Sequence, residues 1–298
     1  MASNNGCYNG AVPDIRKPAP IVIDNILEWF FRFAASGWVP PRWFAPDYSK
    51  LPPVRPAKEL LTIEIVSHCW NYANILSYQL SSLVLHPPEK TNIIMTVFYE
   101  ESDHRTREVL KYFSSQKPEK VQWNFCCLNK SYLLRRAIGR NLAALNTKAD
   151  WIFFTDCDLL FREKSLDLLA GELAQRSELL VYPRQHMITE LLDDDDELFT
   201  DYKQAGMVRD IDPDRFYVEE RDRATGALQI TRSDAAHLGG YCGTVGYYQR
   251  PAKKWRKCYE DRSFRWLLGT QGTPIDVPGF YRIRHATKGR KGKTVGGG

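Results

Sequence analysis

Three times in the first half of the chain, a short apolar run gives way to a stretch with helical spacing, and a fourth apolar run follows. Leu61–Ser67 alternates as a strand does. Asn71–Leu85 then carries apolar residues at helical period and stops before Pro87-Pro88. Ile93–Tyr99 and Asp103–Phe113 repeat the pair, as do Val121–Leu128 and Ser131–Leu145, with Ser131 as the helix cap. Trp151–Thr155 is the fourth strand. Such alternation predicts an α/β fold: a mixed, mainly parallel sheet flanked by helices on both faces.

The second half is less regular. Leu179–Pro183 and Ala227–Thr231 read as strands, Pro251–Leu268 as a helix and Val277–His285 as a last strand. His237-Leu-Gly-Gly-Tyr-Cys-Gly243 reads as a tight glycine loop, and the acidic run Asp193–Glu197 as a solvated loop without an EF-hand pattern. Upstream, Ile21–Phe33 is apolar but interrupted by Asp24, Glu28 and Arg32. It is expected to pack on the domain as a helix, with peripheral membrane contact as the other reading. Prolines and large aromatics over 37–58 suggest an extended strap. The organisation expected is an N-terminal extension (1–59), one main domain (60–287) and a basic, glycine-rich tail (288–298).

Composition narrows the partners. The 41 basic and 36 acidic residues leave a net charge of +5, spread along the chain, which suits an anionic small ligand better than a nucleic-acid surface. No apolar run reaches the ~18 residues of a transmembrane helix, and no signal peptide is read at the start. Seven scattered cysteines without a Cys-x-x-Cys pair disfavour zinc and set the expectation of reduced thiols in a cytoplasmic protein.

The chemistry concentrates at Trp151-Ile-Phe-Phe-Thr-Asp156-Cys-Asp158, where an apolar strand ends in two carboxylates one residue apart. Charged groups are seldom buried without a partner or a metal. Open α/β sheets bind ligands outside the carboxyl ends of their strands. Oxygen donors there suit Mg²⁺ or Mn²⁺, which commonly bridges carboxylates and substrate phosphates. Arg135-Arg136-Ala-Ile-Gly-Arg140 could bring at least one guanidinium to the same edge. Glu260-Asp261, among Trp255, Phe264 and Trp266, could supply a general base. The simpler reading of that pair is an ion pair with Arg262 or Arg265. His285 ends the last strand and gains weight only if the fold brings it to the aspartates. No Walker lysine, Gly-x-Ser-x-Gly elbow or Gly-x-Gly-x-x-Gly turn occurs.

In order, these pieces resemble a GT-A fold glycosyltransferase over roughly residues 60–287. Ile63-Glu-Ile-Val-Ser-His-Cys-Trp-Asn71 resembles the opening nucleotide-binding unit of the inverting family 2 enzymes. Arg140-Asn141 followed by Asp156-Cys-Asp158 resembles their Arg-Asn and Asp-x-Asp sequence. Asn129-Lys-Ser-Tyr-Leu-Leu, the Gly239-Gly240 loop, Glu260-Asp261 and Ile283-Arg-His285 are similar to the animal β-galactosyltransferase family, although Tyr259 stands where that family has glycine. The resemblance implies transfer of a hexose from a nucleoside diphosphate sugar, with UDP favoured, to an acceptor hydroxyl, with inversion; retention is the other outcome the fold permits. It implies that Asp158 and His285 hold the divalent ion and that Asp156 contacts ribose or the metal. One of Glu100, Glu101 and Asp103 would lie near the nucleoside. Arg135 or Arg140 would steady the nucleotide, Gly239-Gly240 would let the sugar approach, and Asp261 or Glu260 would take the acceptor proton. The acceptor (glycan, small molecule, protein or nucleic acid) is not readable. A nucleotidyltransferase and a noncatalytic sugar- or nucleic-acid-binding protein are the competing classes.

Overall fold

The computed structural model describes residues 21–52, 60–162, 164–193, 195–200, 206–254 and 259–285. Residues 1–20, part of the strap (53–59), Trp255 and the basic tail lie outside them. In chain order the elements are α1 (Ile21–Phe33), β1 (Thr62–His68), α2 (Ala73–Leu85), β2 (Asn92–Tyr99), α3 (His104–Ser115), β3 (Val121–Cys127), α4 (Lys130–Leu133) and α5 (Arg136–Asn146). There follow β4 (Trp151–Phe154), β5 (Leu159–Phe161), α6 (Ser165–Leu173), β6 (Leu180–Pro183), β7 (Gln185–Thr189), α7 (Glu197–Thr200), β8 (Phe216–Glu220) and β9 (Gln229–Arg232). The last are α8 (Ser233–Gly239), α9 (Glu260–Leu268), β10 (Thr273–Ile275) and β11 (Phe280–Arg282).

The main sheet runs β10-β6-β9-β4-β1-β2-β3. Its centre is parallel, with Ile65 opposite Met95 on one side and Phe153 on the other. β9 alone runs against its neighbours β4 and β6. β1 and β4 are nearly all buried, as strands covered on both faces are. The core accordingly falls into two clusters. Leu76, Leu80, Val109, Phe113, Leu166 and Leu169 fill one. Phe31, Ile138, Leu142, Phe264 and Leu267 belong to the other.

The three predicted strand–helix pairs and the fourth strand are present, and three differences matter for the site. First, the helix expected over Ser131–Leu145 is broken. Arg135 leaves helical geometry (φ −108, ψ 85), and the cap is Asn129, whose side chain accepts from the Ser131 amide at 3.0 Å. Second, of the helix expected over Pro251–Leu268, the described helical part is Glu260–Leu268. Tyr259 is left-handed at φ 57, which a right-handed helix cannot run through, so α9 starts after it. Third, a second sheet, β5-β11-β7-β8, was not foreseen. Its strands are three to five residues long, too short for a period to register. It sets β11 antiparallel to β5, immediately after the aspartate pair.

The described part of the strap is not an extended polyproline segment. It folds as two 3-10 turns, Pro41–Trp43 and Tyr48–Lys50. The chain around the first docks on α9, where the Trp266 indole donates to the Val39 carbonyl at 2.8 Å and Phe44 lies 5.5 Å from the Trp266 ring.

Candidate active site

The turn from β4 to β5 carries Asp156 and Asp158, and the molecule holds its backbone from three directions. Arg140, on α5, donates to the Thr155 carbonyl at 3.0 Å. Gln79, fully buried on α2, donates to the carbonyls of Asp156 (2.9 Å) and Leu159 (2.8 Å), while its own oxygen accepts from the Ser67 hydroxyl at 2.7 Å. The Ile283 amide, just past β11, donates to the Asp158 carbonyl at 3.0 Å. Nothing in the local sequence marks Gln79 for this task. A polar residue inside an otherwise apolar helical period was the available signal.

The two carboxylates have different surroundings. Asp156 accepts from Arg136 at 2.5 Å and from Arg140 at 3.2 Å. Burial alone would raise its pKa. Arg136, then Arg140 and Arg282, outweigh burial and hold the carboxyl well below the usual carboxylate range. Asp156 in turn is the main reason that the Arg136 guanidinium is held charged beyond its ordinary range. Asp158 is buried. Its Oδ2 accepts from Arg282 at 3.1 Å and lies 3.7 Å from His285 Nε2. Its Oδ1 is buried with no hydrogen-bond partner among the described residues. β11 therefore brings His285 to the aspartates, the condition on which that histidine gained weight. His285 packs against Tyr72, with ring centroids 4.9 Å apart.

Arg136 also reaches Glu260, whose Oε2 lies 3.9 Å from its Nε. It thus links the aspartate turn to the start of α9. Glu260 is almost wholly buried, whereas the Asp261 side chain is 37% exposed and lies 3.7 Å from Arg265. Arg262 does not join this pair; it donates to the Ala35 carbonyl just after α1. A small pocket of 110 Å³ brings Arg136, Asp156, Asp158, His285, His68 and Trp70 to one wall. His68, at the end of β1, has both ring nitrogens buried and no hydrogen-bond partner for them among the described residues. Burial, then Arg140 and Arg136, push its pKa well down, so the ring is neutral. A larger groove of 760 Å³ lies over β1, β2 and β3 on the wall that carries Glu64, and none of the aspartates or their partners lines it.

Several residues picked out by sequence are engaged elsewhere. Arg135 turns away from the aspartates: it donates to the Arg250 carbonyl at 3.2 Å and lies over the Tyr247 ring. Arg140 reaches the site but is buried and committed to protein, with Tyr241 and the Gly226 carbonyl as further partners. It braces the turn and has little left for a ligand. Asp103 caps α3 through the Thr106 amide at 3.2 Å and also accepts from the Asn71 amide at 2.7 Å. Glu100 accepts from Ser102, and Glu101 pairs with Arg107 at 3.2 Å. These three stand at the carboxyl end of β2, two strands from β4. The space above the glycine pair is filled by protein. A Cβ on Gly239 would fall 2.1 Å from the Tyr48 hydroxyl, and one on Gly240, at φ +62, 2.0 Å from Asn141 Oδ1. At these glycines the close approach is made by Tyr48 of the strap and Asn141 of α5. Arg136 is the guanidinium expected from the arginine segment, though not singled out there, because a chain does not disclose which of adjacent arginines turns inward; Arg282 and His68 were not picked out.

A divalent ion can be tested against this donor set. Among the described residues no group of three or more His, Cys, Asp or Glu side chains surrounds one point, and Asp156 is taken by arginines. Asp158 and His285 remain as one carboxylate and one imidazole, with the Asp158 Oδ1 unpartnered. That fits an ion that takes few protein ligands and completes its shell with phosphate and water oxygens, the habit of Mg²⁺.

No protein-family model matches the sequence, and no curated protein matches it. Solved structures do resemble the fold. The TarS 1–349 chain of S. aureus in complex with UDP superposes with a TM-score of 0.50 at 13% identity, over 75% of this chain and 60% of that one. A second TarS 1–349 structure gives 0.49 at 12% identity over the same shares. The mannosyltransferase PcManGT from Pyrobaculum calidifontis, in complex with GDP-Man and Mn²⁺, gives 0.44 at 15% identity over 90% of this chain and 69% of that one. This chain spans about 60% of the TarS chains it matches. At such identities the likeness is one of fold, and the fold is GT-A, as the resemblance implied.

Proposed function

We propose that the chain is a metal-dependent glycosyltransferase that moves a hexose from a nucleoside diphosphate sugar to an acceptor hydroxyl with inversion. The observation that carries this reading is the convergence, at the carboxyl edge of a GT-A sheet, of Asp158 with an unpartnered buried oxygen, His285 at 3.7 Å, and a guanidinium, Arg136, shared between Asp156 and Glu260. UDP is the donor nucleotide proposed. The resemblance favours it, and the TarS chain of like fold holds UDP.

Asp158 and His285 would hold the Mn²⁺ or Mg²⁺ ion. When bound, the ion offsets the charge that develops on the departing diphosphate. Asp156 keeps Arg136 charged and turned to the pocket, where its free donors can meet a phosphate oxygen. Gln79, Arg140 and the Ile283 amide fix the turn in advance, so little reorganisation accompanies reaction. Asp261, more exposed than Glu260, can reach a hydroxyl and take its proton. The pocket is smaller than the ~300–1,000 Å³ of ordinary ligand sites, so the rest of the donor would lie across the open surface towards Trp70 and the end of β2.

The test is a thermal-shift panel of nucleotide sugars, with and without Mn²⁺, on the wild type and on Asp158→Asn. A metal-dependent rise in melting temperature with one nucleotide class, absent from the variant, supports the reading. Uridine diphosphate binding of equal strength with and without Mn²⁺, measured by calorimetry, removes the metal site.

A further inference from the structure

The α1 helix has apolar residues on two sides, and the domain covers one of them. Leu27, Phe31 and Ala34 face the core, Phe31 stacking on Tyr247 with centroids 6.1 Å apart. On the other side Val22, Ile26, Trp29 and Phe33 recur at helical spacing and are 68%, 60%, 68% and 42% exposed. Trp29 stacks on Phe33 (5.9 Å), and Phe33 on Trp38 (6.5 Å), so the stripe continues into the strap as a ladder of rings. Trp38 and Trp43 are exposed to similar extents, 77% and 69%.

Charge on this surface is sorted. The two acids of the helix turn inward: Asp24 pairs with Arg250 at 3.5 Å, and Glu28 accepts from the Tyr247 hydroxyl at 3.4 Å. Arg32 and Arg42 are exposed. Lys253 and Lys254, also exposed, follow the Arg250 that pairs with the helix. The outward side of the helix thus offers a tryptophan and aliphatic residues and no carboxylate, and the exposed cations lie beside the helix rather than on its stripe, with the Arg32 guanidinium over the Tyr259 ring.

We infer that α1 and the first strap turn form a membrane-surface anchor that lies flat in the headgroup region of an anionic bilayer. An apolar stripe with basic flanks is the pattern of in-plane helices, and tryptophan prefers the water–lipid boundary. Basic residues beside the stripe add attraction to acidic headgroups. No helix among the described residues is long and apolar enough to cross a bilayer, so the contact is peripheral. The anchor stands apart from the proposed transferase activity and does not depend on it.

The experiment is cosedimentation of the full chain with vesicles of phosphatidylcholine alone and of phosphatidylcholine with phosphatidylglycerol, read together with tryptophan emission. The wild type should bind the anionic vesicles, with a blue-shifted emission, and bind the neutral ones more weakly. Ile26→Ser combined with Trp29→Ser should weaken binding roughly a hundredfold, since each removes one large apolar side chain from the interface. Both positions are exposed, so the melting temperature should hold. Lys253→Glu with Lys254→Glu should abolish the preference for phosphatidylglycerol while leaving the fold intact. A wild type that binds neither vesicle overturns the inference, as does a double serine variant that binds like wild type. Concentration-dependent dimerisation that the serine variant abolishes, without vesicle binding, would assign the stripe to a second copy of the chain instead.

Discussion

Replacing Gln79 with leucine tests whether the aspartate turn is held in advance by α2. The side chain is fully buried and makes three hydrogen bonds, at 2.7, 2.9 and 2.8 Å, to the Ser67 hydroxyl and to the carbonyls of Asp156 and Leu159. Leucine has about the same reach, so the change is mainly one of polarity. Each bond contributes about 1 kcal/mol net. The Asp156 carbonyl keeps the Leu159 amide at 3.3 Å, whereas the Leu159 carbonyl loses its side-chain donor, at a cost of about 1–3 kcal/mol. The apolar side chain recovers part of that through burial, ~1–2 kcal/mol. The balance is a loss of roughly 3 kcal/mol, or on the order of 6–10 °C in melting temperature for a chain of this size. Urea titration should move the midpoint without changing the slope, because the surface exposed on unfolding is nearly unchanged. A cycle with Ser67→Ala should return a coupling of ~0.5–1.5 kcal/mol between the two side chains. If Gln79→Leu costs less than about 1 kcal/mol, the turn is held by other means and the argument for an advance brace is lost.

Other consequences can be checked separately. Arg136→Met should destabilise by ~2 kcal/mol at neutral pH, since it strips Asp156 of its nearer guanidinium and the buried Glu260 of its cation. Because the folded pKa of Asp156 is depressed, its stabilising share is present above the ordinary aspartate pKa of ~3.9 and is lost as pH falls below it. The gap between variant and wild type should therefore narrow in denaturant titrations below about pH 4, and a gap independent of pH would count against the ion pair. Gly240→Ala should cost at least ~2 kcal/mol through its positive φ and the clash with Asn141, seen in thermal melts, while nucleotide affinity stays within error. Asp261→Asn should lower kcat by ~10²–10⁴-fold with donor binding kept; near wild-type turnover would transfer the role to Glu260, to be assayed as Glu260→Gln.

Much of the site was legible because strand ends are legible. An apolar run that stops at Asp156-Cys-Asp158 puts two carboxylates at the edge of a sheet whatever the rest of the chain does, and β4 ends there. Glu260-Asp261 was read from the aromatic residues around it on an expected helix, and the helix is there, with the pair in its first turn. The choice between Arg135 and Arg136 was not legible. It turns on one non-helical residue between α4 and α5, and a single dihedral change of that kind leaves no periodic trace. Gly239-Gly240 show a related limit: glycine marks a close approach without saying what approaches, and Tyr48 and Asn141 are the side chains that do so here.

By itself, then, the order of apolar and polar residues decided the parallel centre of the sheet, the helices on its two faces and the carboxylates at its edge, because each follows from the local alternation of strand and helix periods along the chain. Tertiary structure alone decided that Gln79 would brace the turn from 77 positions away in sequence, that β11 would return His285 to Asp158, and that Arg136 would join Asp156 to Glu260. Those pairings depend on which buried polar group finds which partner once the layers close, and a linear pattern of hydrophobicity holds no record of that choice.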